Sequence, residues 1–326
     1  MTRKAVLRRL ALRAAGTVLA LAAAGAMAQN YPSRPIRIVV PFTPGGTSDV
    51  IVRPLIEKMT ELLGQNVVAD YAPGAGGTIA AAKVAAAPPD GYTLLLASTG
   101  GLATGPNVTK ISYDPVKSFA PVGQVASSQY VLVVPANSPI TNMADLLARA
   151  RAKPGGMSYG TPGAGSLGHL AGELLKSSTN TQIVHVPYRG QSPMNIDLFG
   201  GRLDMAIAGL GGTVPAIKAG RLRAIGMTGA TRSGALPQAP TIAELGVPGF
   251  DAAVFWGVVA PAGTPVDIVD KLNTALRALV QVPEVRAYWT SQGQDPISST
   301  PAEFGSLIQR EYEKWKTVLK NAHITE

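Results

Sequence analysis

The sequence predicts an α/β protein with a mostly parallel sheet, helices on both faces, and two domains. Three observations carry this. Short apolar runs alternate with helical stretches along the chain. The length, 326 residues, exceeds one ordinary core and suits two of roughly 150 residues each. Three times an apolar run ends in a Pro/Gly-rich turn bearing Ser or Thr, and a helical stretch follows.

The elements follow in order. Ile36–Val40 (IRIVV) is apolar at every position but one, the pattern of a strand buried on both faces. It runs into PFTPGGTSD and a helix from about Ser48 to Leu63, which Pro54 should kink by removing a backbone donor. Val67–Tyr71 is a second strand, followed by APGAGG and an alanine-rich helix over Thr78–Ala87. Tyr92–Ala97 is a third strand, ending at Ser98-Thr99-Gly100-Gly101, and Tyr130–Val134 is a fourth. Asn142–Lys153 reads as an amphipathic helix. Met157–Gly160 is a strand ending at TPGAGSLG, before a helix over Ser166–Lys176. Ile183–Pro187, Met205–Ala208 and Leu222–Met227 are further strands. Thr264-Pro265-Val266-Asp267 and Thr300-Pro301-Ala302-Glu303 each place Thr at the N-cap, Pro at N1 and an acid at N3 of a C-terminal helix. If the apolar strands Tyr130–Val134 and Ala252–Ala260 both cross between domains, residues 29–129 plus 252–326 form one domain and 130–251 the other.

The net charge of +9 misleads, because Arg3, Lys4, Arg8, Arg9 and Arg13 stand in an acid-free leader. Without residues 1–28 the balance is 24 basic against 20 acidic side chains, with no clustered basic stripe, which argues against nucleic acid as a partner. The leader joins a basic start, an apolar run over Ala14–Ala24 and Ala26-Met27-Ala28, the three-part pattern of a secretory signal cleaved after Ala28. Its apolar run is shorter than the ~18–20 residues a membrane span needs. With no cysteine to lipidate, the product is expected free in the periplasm, away from a supply of NAD or ATP.

The absence of cysteine also excludes disulfides, Cys-ligated metals and thiol nucleophiles. His169, His185 and His323 are the only histidines, and none stands in a metal-binding spacing, so neither metal nor cofactor is expected. A hydrolase would need a nucleophile elbow, but Ala164-Gly165-Ser166-Leu167-Gly168 has alanine where G-x-S-x-G needs glycine. Gly163-Ala164-Gly165-Ser166-Leu167-Gly168 matches G-x-G-x-x-G, yet the next strand ends at Tyr188-Arg189-Gly190 with no ribose-binding acid.

The three turns, Pro41–Asp49, Ala72–Thr78 and Thr161–Gly168, fall where an open α/β sheet binds ligands. Glycine lets backbone amides come close, and a helix start leaves about four of them unpaired, so such a turn suits an anion without Lys or Arg. Asp49 would repel an acid unless it meets an amino group. His169 is packed or near the cleft, and His185 reads as a core histidine. For Phe255-Trp256, core packing is preferred over facing a ligand. Arg189 pairs either with a distal ligand carboxylate or with Asp204.

The runs IRIVVPFTPGGTSD, PGAGGTIAA, PPDGYTLL, SYDPVKSFAPV, SYGTPGAGSLGHLAGELL, VPYRG, GGRLD and PTIAELGVPGF resemble the Bug family, the periplasmic solute-binding proteins of tripartite tricarboxylate transporters. The resemblance spans nearly all of the chain after the leader, in family order. It implies a type II periplasmic-binding-protein fold of two mixed-sheet α/β domains that close on a small carboxylate. It also implies large and small integral membrane subunits as partners, or, for some members, a membrane sensor. Carried onto this sequence, it places Phe42, Gly45, Gly46, Thr47, Ser48 and Asp49 in the first domain's binding turn, with Ser98 and Thr99 on a neighbouring strand end. Thr161, Gly165, Ser166 and His169 fall in the second domain's turn, with Tyr188 and Asp204 in the YRG and GGRLD runs.

Overall fold

The computed structural model describes residues 31–322. The leader and His323 lie outside the described residues.

Ten strands form one curled mixed sheet. Its first part is parallel: β1 (Ile36–Val40) pairs with β2 (Val67–Tyr71) on one side and β3 (Thr93–Ser98) on the other. Helix α1 (Thr47–Leu63) connects β1 to β2, and α2 (Thr78–Ala85) follows β2, the crossover that parallel strands require. A second parallel part holds β5 (Ser158–Thr161) between β6 (Val184–Pro187) and β7 (Met205–Gly209). Helices α5 (Leu167–Thr179) and α6 (Gln191–Phe199) make its connections, and the short α7 (Val214–Lys218) follows β7. The expected helix at Asn142 is α4 (Met143–Ala152), and the short α3 (Gly105–Val108) precedes it.

The sheet is less parallel than the alternation of elements predicts, because the two parts are joined by antiparallel strands. Strand β4 runs 17 residues, Phe119–Pro135, and changes neighbours half-way. Phe119–Gln129 pairs with β9 (Ala253–Pro261), which also pairs with β3. From Tyr130 onward β4 pairs with β7 and with β8 (Leu222–Met227). Its start was hidden by Pro121, Gly123, Gln124 and the polar Ser127-Ser128-Gln129, and bulges near Pro121 and Gln124 absorb the break in pattern. Beyond Tyr130 side chains alternate faces: Leu132 and Val134 enter the large core, while Val131 and Val133 enter a smaller one under β7 and β8.

The C-terminal helices return to the first part of the sheet. The Thr300 capping box is present, with Thr300 and Glu303 each bonding the other's backbone amide at the start of α10 (Pro301–Asn321). The Thr264 box is not formed. Thr264 Oγ1 donates to Pro261 O at 2.8 Å in a turn leaving β9, and Pro265 becomes the cap residue of α8 (Val266–Gln281). A further helix, α9 (Pro283–Ser291), and a short strand, β10 (Gln294–Pro296) on β4, had too little apolar periodicity to be read from the sequence.

Pro54 does not interrupt α1, which is continuous as one helix. A proline leaves the carbonyl four residues before it without its usual donor, and here that carbonyl, Val50 O, accepts the indole N–H of Trp289 at 3.1 Å. The fully buried Trp289 of α9 therefore completes the ladder of α1.

Candidate functional site

The site begins where β1 ends. Gly45 has φ +87°, and an added Cβ would lie 2.7 Å from Ser192 Oγ. Gly46 is extended and caps α1 without any side-chain bond. The amides of Asp49 and Val50 both turn back to Gly46 O. Thr47 and Ser48, as the first helical residues, have amides with no carbonyl four positions earlier in the helix to receive them. Both residues are buried, and Ser48 Oγ has no hydrogen-bond partner among the described residues. A buried hydroxyl is almost always paired, so this one is left open to a partner from outside the chain.

These groups face a narrow cavity of about 10 Å³, room for about one water molecule, lined by Phe42, Gly46, Thr47, Ser48, Tyr130, Pro162, Gln191 and Trp256. Phe42 and Trp256 meet edge to face, ring centroids 6.4 Å apart. Tyr130 stands where β4 changes neighbours, so the cavity sits at the junction of the two sheet parts. No lining residue is charged. Trp256 Nε1 is buried without an acceptor. Gln191 reaches the cavity from the start of α6. Its Nε2 donates to Gly209 O at 2.9 Å and Thr213 Oγ1 at 2.6 Å. A carbonyl can only accept, which fixes the amide's orientation and turns Oε1 toward Thr47 Oγ1, 3.3 Å away.

The structure brings together Phe42, Gly46, Thr47 and Ser48 around this cavity, with Gly45 shaping the turn behind them. Asp49 is directed elsewhere: its carboxylate accepts from Arg53 at 2.7 Å and from the Tyr71 hydroxyl at 2.5 Å. Burial and that bond push the Tyr71 hydroxyl up to about 12. Thr99 Oγ1 accepts from the Phe255 amide, tying β3 to β9, and Ser98 Oγ is buried and unpaired nearby.

The turn Thr161–Gly168 is largely bonded within itself. Ser166 Oγ donates to Gly163 O at 2.6 Å and accepts from the His169 amide, capping α5. Thr161 Oγ1 bonds His185 Nε2 at 2.7 Å. The Gly165 amide donates to His169 Nδ1 at 3.2 Å. His169 and His185 are stacked, ring centroids 4.0 Å apart. Burial holds both below the usual histidine range, His185 at about 3. Only Pro162 of this turn lines the cavity.

Two expected residues lie elsewhere. Tyr188 donates its hydroxyl to Asp197 at 2.7 Å. Asp204 accepts from the Ser158 amide at 2.8 Å and from its hydroxyl. Ser158 begins β5, whereas the glycine turn follows its other end, so Asp204 fastens β5 to β7 away from the cavity. Phe255 packs on Phe304, as a core residue would, but Trp256 lines the cavity. Tyr130, Pro162 and Gln191 were missed: the first reads as one more apolar strand residue, and the others sit in runs whose glycines draw attention first. Among the described residues no group of three His, Cys, Asp or Glu could hold a metal ion, and no helix is long and apolar enough to cross a membrane.

Comparison with known proteins places these features in a family. The family described as "Tripartite tricarboxylate transporter family receptor" matches residues 51–324. Protein BugT of Bordetella pertussis is 35% identical over 300 residues, covering 91% of this chain and 92% of its own. The structure titled "R. palustris Rpa4515 with adipate" is 38% identical with a TM-score of 0.86, covering 90% of this chain and 99% of that one. MatC from Rhodopseudomonas palustris with bound malate is 30% identical with a TM-score of 0.85, covering 89% and 100%. These are receptors, not enzymes, and share the two-domain α/β fold of periplasmic binding proteins. This chain belongs to the tripartite tricarboxylate transporter receptor family, with the Bug proteins among its relatives.

Proposed function

We propose that the protein captures a small organic carboxylate between two lobes, residues 29–129 plus 252–326 and residues 130–251, and hands it to the large and small membrane subunits of a tripartite tricarboxylate-type transporter. It does so as a free periplasmic protein after removal of the leader near Ala28. The observation that carries this reading is the uncapped start of α1: the amides of Thr47 and Ser48, with the unpaired Ser48 hydroxyl, border a cavity that has no charged wall.

A carboxylate accepts from such donors without a counter-charge. The helix end contributes about 0.3–1 kcal/mol, and up to about 2 when partly buried. Micromolar affinity requires about 8 kcal/mol. The balance comes from direct hydrogen bonds, from apolar contact with Phe42, Tyr130 and Trp256, and from closure of the lobes. The adipate and malate in the similar structures support an acid of this size class. In this reading Phe42, Gly45, Gly46, Thr47 and Ser48 hold the ligand, while Thr161, Gly165, Ser166 and His169 shape the opposing turn.

The reading is tested by thermal shift and calorimetry of the purified protein with di- and tricarboxylates, acidic amino acids, phthalates and nicotinates. At least one acid is expected to raise the melting temperature by mass action, while its amide does not. A panel without any shift refutes the carboxylate reading.

A further inference from the structure

The turn Ala72–Thr78 has the composition of a ligand-binding turn, yet none of its residues lines the cavity. It meets the turn Thr161–Gly168 of the other sheet part, main chain against main chain. Gly76 has φ +61°, and an added Cβ would lie 2.5 Å from Ser166 N and 2.6 Å from Ala164 O. A Cβ on Gly163 would lie 3.1 Å from Gly76 N, and one on Gly165 would lie 3.1 Å from Gly105 Cα. Beside this seam Thr104 Oγ1 donates to Gly165 O at 2.7 Å. Thr104 is fully buried. The bond therefore crosses a sealed contact between two segments about sixty residues apart in sequence.

We infer that this seam is a closure latch, with Gly76 and Thr104 as positioning residues for binding: the second glycine turn locks the two lobes together beside the cavity without touching the ligand. The inference rests on the cleft-binding reading above. The physical argument concerns which state each group affects. In an open form water would satisfy Gly165 O, and nothing would crowd Gly76. In the closed form Gly165 O depends on the Thr104 hydroxyl, and only glycine fits at position 76. Apart from the cost of a side chain at positive φ, which both forms share, loss of either device penalises the closed form, and a fall in the competent fraction weakens every ligand by the same factor.

The test uses the mature chain with malate and adipate as probes, in Gly76→Ala, Thr104→Val and a control, Gly64→Ala. Gly64 has a similar φ of +67°, but an added Cβ there meets nothing within 4 Å. Small-angle X-ray scattering without acid is expected to give a larger radius for Gly76→Ala and Thr104→Val than for wild type or Gly64→Ala. Each acid that wild type binds is expected to lose about tenfold in affinity through faster dissociation, the size expected when a buried carbonyl is left unpaired. The malate-to-adipate ratio should stay fixed. Wild-type scattering and affinity in both variants would overturn the latch, as would Gly64→Ala behaving like Gly76→Ala. Unequal losses for the two acids would show the turn touching ligand and also overturn it. If wild type binds neither acid, the carboxylate reading fails while scattering alone still decides the latch; if Gly76→Ala does not fold, Thr104→Val decides it.

Discussion

Replacing Ser48 with alanine should move stability and affinity in opposite directions. Ser48 Oγ is buried with no partner among the described residues. Burying an unpaired hydroxyl costs about 1–3 kcal/mol by mutational measures. Alanine removes that cost and leaves a space of one oxygen atom, so the unliganded variant should hold its stability or gain up to about 1 kcal/mol. A gain of that size raises the melting temperature by roughly 2–4 °C in a protein this large. With ligand the sign reverses. A hydrogen bond to a charged group contributes about 1.5–3 kcal/mol, so losing the bond to a carboxylate raises Kd about 10- to 150-fold. Calorimetry and differential scanning fluorimetry on one preparation measure both. A lower unliganded melting temperature, or an unchanged Kd for an acid that the wild type binds, would refute the assignment of this hydroxyl to the ligand.

Two further outcomes follow from contacts outside the cavity. Trp289→Phe removes the donor to Val50 O and should cost about 1–3 kcal/mol. Pro54→Ala restores a backbone donor to that carbonyl, so in the double variant the loss should be smaller than the sum by about 1 kcal/mol, measured by urea denaturation. The stacked His169–His185 pair gives a pH dependence. Burial is the main cause that holds both rings below their unfolded value of about 6.5, and Lys176 beside them acts in the same direction while Glu173 opposes it at His169. Below pH 6.5 the unfolded rings take up protons that the folded rings refuse. Stability is therefore full at neutral pH and falls as pH drops from about 6.5 toward 3, with a slope approaching about 1.4 kcal/mol per pH unit from His185, and His169 adds to the fall in the same direction. His185→Gln should flatten this slope in melting temperatures recorded from pH 7 to 5.

Much of the fold was legible because strands buried on both faces, such as Ile36–Val40, are short apolar runs between glycine turns. The full course of β4 was not, since bulges and polar residues broke its pattern over Phe119–Gln129. Helix α6 was equally hidden: it opens QSP and is only weakly amphipathic, and it owes its position to contacts with β7 and Thr47. The candidate site was legible on one side only. Phe42-Thr43-Pro44-Gly45-Gly46 before a helix announces free amides, a property of local backbone. Gln191, Tyr130 and Trp256 reach the cavity through the meeting of distant segments, which no local signal encodes. Asp204 was placed at the site by the resemblance of its GGRLD run alone, and in space it bonds Ser158 at the end of β5 away from the glycine turn.

The uncharged wall of the cavity has a consequence for the loaded protein as an object in solution. Amides and hydroxyls do not titrate between pH 6 and 9, so capture of a fully ionised guest should neither take up nor release protons across that range. Each captured acid then adds its whole negative charge to the particle. Loaded and empty forms should separate in native electrophoresis by the valence of the guest, giving a direct reading of how many ionised carboxylates it brings.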